Sequence, residues 1–352
     1  MSRKNYTIVL EITPTAPLTH GAGVDGNESV MLTREYNVLT AENEWERIDI
    51  PAVSGAAMKA TLREHSVMDG LERAGVQPGT VSKDALRLLL KGGKNDSGGA
   101  SVSLAEGRRL RDLFPTLAVF GSMDGGLPMR GEISVSDVVP WVAELAAADQ
   151  LPQRITPLQV AVEGQVVTGA AIEVYPGVPP MPAHLVRTSV TYYRHDLQSS
   201  GAVPYLQGAQ VAQIEEAREG RAKAGSAKKE QRREANESMP HSMQAIAAGT
   251  PMVCTIRLTG ASEVEFVALC VAITRWIASG GHLGGGATKG HGACRVRVAG
   301  ALRHHPADGA IPADAGSLVT VQDPASSAYL EYDQHIRSRA ETIRAYVAEA
   351  TR

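Results

Sequence analysis

Two stretches that repeat one order of patterns constrain this chain most. Residues 252–260 (MVCTIRLTG) alternate as a strand, Ser262 stands as a helix cap before the apolar run 264–279, and a glycine-rich loop leads into a second alternating stretch, 293–300 (ACRVRVAG). Near the start, residues 6–13 (YTIVLEIT) alternate and are β-branched. A helix opens beside Ser54 and runs through AAMKATLREH to residue 65, and GEISVSDVV (131–139) alternates again. Strand–helix–strand twice over predicts an α+β fold: a ferredoxin-like βαββαβ sheet with its helices on one face.

The remaining segments read as additions to that sheet. Residues 14–26, with two prolines and three glycines, read as a long loop. Ser82 caps a helix over 84–91, residues 92–99 (GGKNDSGG) form a loop, and a third helix over 106–119 is kinked or divided by Pro115. A strand is expected over 164–175, and polar helix over 207–248 except at Gly220, Gly225 and Pro240. Residues 301–325 read as a linker. Tyr329, Tyr332, Ile336, Ile343 and Tyr346 then recur at helical spacing and predict one amphipathic C-terminal helix.

Composition excludes several classes. Among 352 residues, 43% are apolar and 21% charged, which fits a globular core and not a disordered or fibrous chain. The formal charge of −3 excludes a globally basic nucleic-acid binder but leaves a local one open. Cys254, Cys270 and Cys294 are widely spaced, which argues against a disulfide framework or structural zinc, and no metal or cofactor is expected. No run is long enough to span a bilayer, and the N-terminus reads as a strand, so a cytoplasmic protein without membrane contact is expected.

Four features point to anion binding. Gly284, Gly285 and Gly286, followed by Lys289 and His291, let main-chain amides approach a phosphate beside a point charge, although no P-loop spacing exists. Gly21, Gly23 and Gly26 follow a strand with G-x-G-x-x-G spacing, but a dinucleotide fingerprint needs a helix opening at the last glycine, and residues 27–36 show no helical face. Lys59 and Arg63 are four apart on the first helix, whose N-terminal end favours anions. Residues 218–234 hold seven cations, Lys228 and Arg232 among them, against three acids. Catalytic candidates are few: Asp25 and Glu28 alone sit where a carboxylate would assist attack by a ribose hydroxyl.

In order, PLTHGAG (17–23), IPAVSGAAMKATLR (50–63), VFGSMDGGLPMRGEISVSDVV (119–139) and GGHLGGGATKGHGACRVRV (280–298) resemble four motifs of the crRNA-binding backbone subunit of CRISPR effector complexes, a branch of the RAMP superfamily. The likeness is greatest to the type IV form. Ala56, Ala57 and Ala60 depart from it, since that family has serines and a glycine there.

The resemblance implies a right-hand shape. An RRM-like palm would comprise 1–53, 119–175 and 251–300, the first palm helix and helical fingers 54–118, a thumb-like insertion with the basic segment 176–250, and a linker and C-terminal helix 301–352. RNA contacts are then expected from His20, Gly21, Gly23, Ser54, Lys59, Arg63, Tyr193, Arg194, Lys228, Arg232, Gly284, Gly285, Gly286, Lys289 and His291. Aromatic side chains beside Arg194 suit base stacking. The implied function is a non-catalytic guide-RNA (crRNA) clamp in an antiviral ribonucleoprotein. It would assemble head to tail in a helical filament, with other CRISPR effector subunits and a complementary nucleic-acid target as partners. Two alternatives stand beside it: a type III-like subunit cutting target RNA through Asp25 or Glu28, and a nucleotide-dependent metabolic enzyme using the first glycine cluster.

Overall fold

The computed structural model describes residues 3–25, 28–39, 43–91, 104–124, 127–147, 153–162, 165–174, 180–194, 239–304, 317–318 and 327–349. The chain opens with strand β1 (Lys4–Pro14), then β2 (Gly21–Asp25), β3 (Glu28–Met31), β4 (Thr33–Leu39) and β5 (Trp45–Pro51). Helices α1 (Gly55–Arg73), α2 (Lys83–Lys91), α3 (Leu104–Leu113) and α4 (Pro115–Phe120) follow. Next come β6 (Ser122–Asp124), β7 (Leu127–Met129), β8 (Ile133–Val135), β9 (Val139–Pro140) and the short α5 (Ala143–Ala147). The second half holds β10 (Gln153–Val162), β11 (Gln165–Val174), β12 (Arg187–Arg194), β13 (Met239–Ile246), β14 (Met252–Ala261), α6 (Glu263–Ala278), β15 (Cys294–His304), β16 (Ser317–Leu318), α7 (Ser327–Ser338) and α8 (Ala340–Glu349).

The main sheet runs β16-β15-β1-β14-β8, with β15, β1, β14 and β8 all antiparallel to their neighbours. Set aside the added strand β16 and the order is fourth, first, third, second: the ferredoxin-like arrangement that two strand–helix–strand halves predict. Alternation on β1 turns Tyr6, Ile8, Leu10 and Ile12 toward the helices, each at most 1% exposed. Tyr6 stacks on Phe266 of α6 at 3.9 Å between ring centres. Helix α6 starts as the sequence predicts, with Ser262 and Glu265 forming a reciprocal capping box. Thr7 and Val9, on the opposite face of β1, are also buried, where β10 runs alongside β1 and β15.

Several elements differ from expectation. The supposed loop after β1 contains β2, paired with β3 in a hairpin. Helix α1 continues eight residues past 65 to Arg73, because Val67 and Leu71 extend its buried stripe. Residues 239–246, expected as polar helix, are strand β13, and β15 continues into the expected linker as far as His304. The region 131–139 is two short strands, β8 and β9. Pro115 does divide the third helix, standing at the first position of α4.

The C-terminal helix is two helices, broken at Arg339, whose guanidinium turns to Asp112. Both pack on helices of the same chain, α7 against α1 and α6, and α8 against α2. Tyr332 donates its hydroxyl to Asp69 of α1 at 3.0 Å, Arg73 bonds Asp333 at 2.6 Å, and Ile336, Ile343 and Val347 are buried. The three cysteines are free and buried, and burial pushes the Cys254 and Cys294 thiols up to about 12. They stay protonated near neutrality and act as small apolar groups.

Glu132, just before β8, carries a pH signature. Its Oε1 accepts from Arg3 at 2.7 Å and Arg111 at 3.1 Å, while its buried Oε2 has no partner among the described residues. Burial, and then Glu265, push this carboxyl up to about 7 against the pull of the two arginines. The folded pKa lies above the unfolded value of about 4.3, so the folded state holds the proton more tightly. Its contribution to stability is full below the unfolded pKa and is lost as pH rises toward 7. Glu132→Gln is therefore expected to remove a loss of roughly 2 kcal/mol between pH 5 and pH 8. Urea unfolding of both proteins at the two pH values measures the difference.

Candidate nucleic-acid interface

Between Thr15 and Thr19 the chain is zipped into the C-terminal glycine loop. Thr15 N–H donates to Ala293 O (2.7 Å), Gly292 N–H to Pro17 O (3.0 Å) and Gly285 N–H to Thr19 O (2.7 Å), and the Thr19 hydroxyl returns a bond to Gly285 O (2.8 Å). On the other side, Leu18 and Ile246 exchange main-chain bonds of 3.0 and 2.8 Å. Two of the loop glycines are required by close approach. At Gly284 (φ +77°) a Cβ would fall on the Thr19 carbonyl oxygen, and at Gly292 (φ +74°) on that of Leu283. Gly284, Gly285 and residues 287–290 remain exposed, so these glycines are not sealed beneath side chains.

The zipped segment delivers His20 to the start of α1. His20 Nε2 and Ser54 Oγ share a hydrogen bond of 3.2 Å, and Ser54 Oγ also accepts from Ala57 N–H at 3.2 Å as the helix cap. Asp137 accepts from Gly55 N–H at 2.8 Å and from Arg34 Nε at 2.5 Å. The positive end of α1 thus already holds a carboxylate, and a bound anion would meet the flank formed by Ser54, His20 and the half-buried Lys59. Burial, then Arg34, pull the His20 pKa below its ordinary value, with Asp137 opposing. Burial, then Arg63, pull Lys59 down as well. An arriving phosphate would reverse both shifts.

Among the expected contact residues, Arg63 is the clearest correction. It does not share the exposed flank of Lys59. It turns inward, donating through Nη2 to Phe120 O (2.6 Å) and Gly121 O (2.5 Å), with its guanidinium 5.8 Å from the centre of the Phe120 ring. At 9% exposure it fastens the Phe–Gly turn to α1. His291 is a second correction: it lies behind the loop, also 9% exposed, with Gly286 against its ring and its N–H donating to Gly286 O. It shapes the loop from within.

Gly21 and Gly23 lie on β2, exposed, at one edge of a four-stranded sheet ordered β12-β13-β3-β2. A strand of a hairpin opens no helix, so the dinucleotide geometry is not present there. Asp25 and Glu28 pair across that hairpin. Tyr193 and Arg194 lie on β12, opposite Pro240 and Met239, at the sheet's other edge. Lys228 and Arg232 fall outside the described residues.

No protein-family model matches the chain, and no curated protein matches it. Among solved structures, the chain is similar to one from a "Type IV-B CRISPR Complex", at 18% identity and a TM-score of 0.49, over 84% of this chain and 90% of that one.

Three residues of the interface were not singled out in the sequence. Thr19 pins the two loops together, Asp137 occupies the α1 terminus, and Arg34 holds Asp137. The signal for Asp137 was the Ser-Asp pair after the β8 alternation, and Thr19 lies inside the PLTHGAG motif; nothing in the sequence marks Arg34. Among the described residues no group of three or more His, Cys, Asp or Glu side chains has the arrangement to hold a metal ion, and no helix is long and apolar enough to cross a membrane.

Proposed function

We propose that this chain is a non-catalytic guide-RNA clamp. It grips the sugar-phosphate strand of a crRNA through the two glycine segments, His20, Ser54, Lys59 and Lys289. It stands in a CRISPR ribonucleoprotein as one of several copies joined head to tail, with the guide pairing to a complementary target. The observation that carries the proposal is the Gly285–Thr19 bridge. It joins segments 266 residues apart into one rim of exposed main chain that carries Lys289, and His20, next to Thr19, reaches Ser54 at the start of the helix that carries Lys59. Such a rim recognises the repeating anion and not the bases, so it needs no globally basic chain.

Lys59→Glu with Lys289→Glu is expected to weaken single-stranded RNA binding at least tenfold, equally for unrelated sequences. The slope of log affinity against log salt should flatten by about 1 to 2. A gel shift over a salt series reads both, with melting temperature confirming that the variant folds. Unchanged affinity overturns the groove. Target RNA is expected to stay intact in the assembled complex with Mg²⁺; cuts at fixed intervals would instead assign chemistry to Asp25 or Glu28.

A further inference from the structure

His20 and Ser54 meet at the start of α1, and the hydrogen-bonding capacity of the pair can be counted. The Ser54 hydroxyl has one proton to donate and two lone pairs. One lone pair takes Ala57 N–H at 3.2 Å, and one further position faces His20 Nε2, also at 3.2 Å. Burial, then Arg34, pull the His20 pKa down, so near neutral pH the imidazole is uncharged, with one donor and one acceptor nitrogen. Its Nδ1 makes no hydrogen bond among the described residues.

Both tautomers leave the same remainder. If Ser54 donates to Nε2, the pair keeps the Nδ1–H donor and one serine lone pair. If Nε2–H donates to Ser54, it keeps the serine O–H donor and the Nδ1 lone pair. Either way one donor and one acceptor stay open, on side chains that are only partly buried. A phosphate oxygen only accepts, so it serves the donor and leaves the acceptor unpaired. A sugar hydroxyl donates and accepts, and serves either.

Charge points the same way. The Asp137 carboxylate takes Gly55 N–H at 2.8 Å and occupies the positive end of α1. Arg34 is bound to that carboxylate through two nitrogens, at 2.5 and 3.4 Å, so the two charges offset each other. With a neutral imidazole beside them, this corner has no net cation to hold a phosphate. Lys59, the one lysine of α1, lies five residues further along the helix, about 7.5 Å at 1.5 Å per residue.

We propose that Ser54 and His20 recognise a ribose 2′-hydroxyl, while Lys59 takes a phosphate, so that the protein selects RNA over DNA of the same sequence. This inference rests on the guide-RNA clamp proposed above and adds the sugar to what it recognises. A site built to bond a hydroxyl rejects the analogue lacking it, because its own polar groups are then left unpaired.

The test measures the affinity of the full chain for single strands of one uracil-containing sequence carrying ribose, deoxyribose or 2′-fluoro-ribose, by gel shift at one salt concentration. The 2′-fluoro sugar keeps the ribose pucker but has no proton to donate and accepts poorly. Wild type is expected to bind the RNA at least tenfold tighter than the DNA, with the 2′-fluoro strand near the DNA. Lys59→Glu should weaken all three alike and keep that ratio. His20→Phe, which fills the space without ring nitrogens, should bring the RNA-to-DNA ratio below threefold. Ser54→Gly, which keeps most of the helix cap, should do the same, with melting temperature confirming that each variant folds. Equal binding of RNA and DNA by wild type overturns this inference and leaves the clamp standing. A 2′-fluoro strand bound as tightly as RNA assigns the preference to sugar shape and also overturns it, as does an unchanged ratio in either folded variant. A wild type that binds none of the three strands overturns the clamp itself.

Discussion

Arg63→Ala is expected to destabilise the protein by about 3 kcal/mol, lowering its melting temperature by roughly 5 °C, without removing an RNA contact. Two terms set the sign. The guanidinium stays charged although burial pulls its pKa down, and its Nε has no partner among the described residues, so the native side chain bears a desolvation cost that alanine avoids. Against that, alanine strands the carbonyls of Phe120 and Gly121, loses the packing on the Phe120 ring, and leaves a cavity beside α4. Two charge-assisted bonds at about 1.5 to 3 kcal/mol each, plus the cavity, outweigh the relief. Arg63→Met fills the space without the bonds and should recover about half the loss. Because the guanidinium faces inward, folded Arg63→Met should keep the wild-type salt slope of RNA binding. A slope flattened by about 1 in a fully folded Arg63→Met protein would return this residue to the groove.

Arg63 also shows where sequence reasoning stops. Four-residue spacing put Lys59 and Arg63 on one side of α1, and that was geometrically sound. What it lacked was the approach of residues 120–121, a contact across 57 positions that decides which side is interior. The sheet was legible because alternation and capping are local: β1, β14, Ser262 and α6 follow from patterns of two and 3.6 residues. The β2–β3 hairpin was not, since glycines that read as a loop are held in strand by pairing of β3 with β13, more than 200 residues away. The same holds for the interface. Glycines could be seen to permit close approach, but only the fold shows that Thr19 is what approaches. The C-terminal break at Arg339, whose guanidinium bonds Asp112, falls inside a run of helical periodicity, so spacing alone does not show it.

Gly284→Ala is the second large effect, and Gly290→Ala is its internal control. Both glycines have φ near +80°, so both alanines incur the left-handed backbone cost of about 1 kcal/mol. They differ in what a methyl group meets. Around Gly290 nothing lies within 4 Å, whereas at Gly284 the new Cβ falls on the Thr19 carbonyl, which can retreat only by breaking its bond from Gly285. Gly284→Ala should therefore cost about 2 kcal/mol more than Gly290→Ala in denaturant unfolding. The functional consequence follows from the same motion. Separating Gly285 from Thr19 withdraws the loop from His20 and Ser54, so RNA affinity should fall at least tenfold in Gly284→Ala and less than threefold in Gly290→Ala. Equal losses in the two variants would mean that backbone conformation alone matters, and that the rim built by the Thr19 bridge is not what holds the strand.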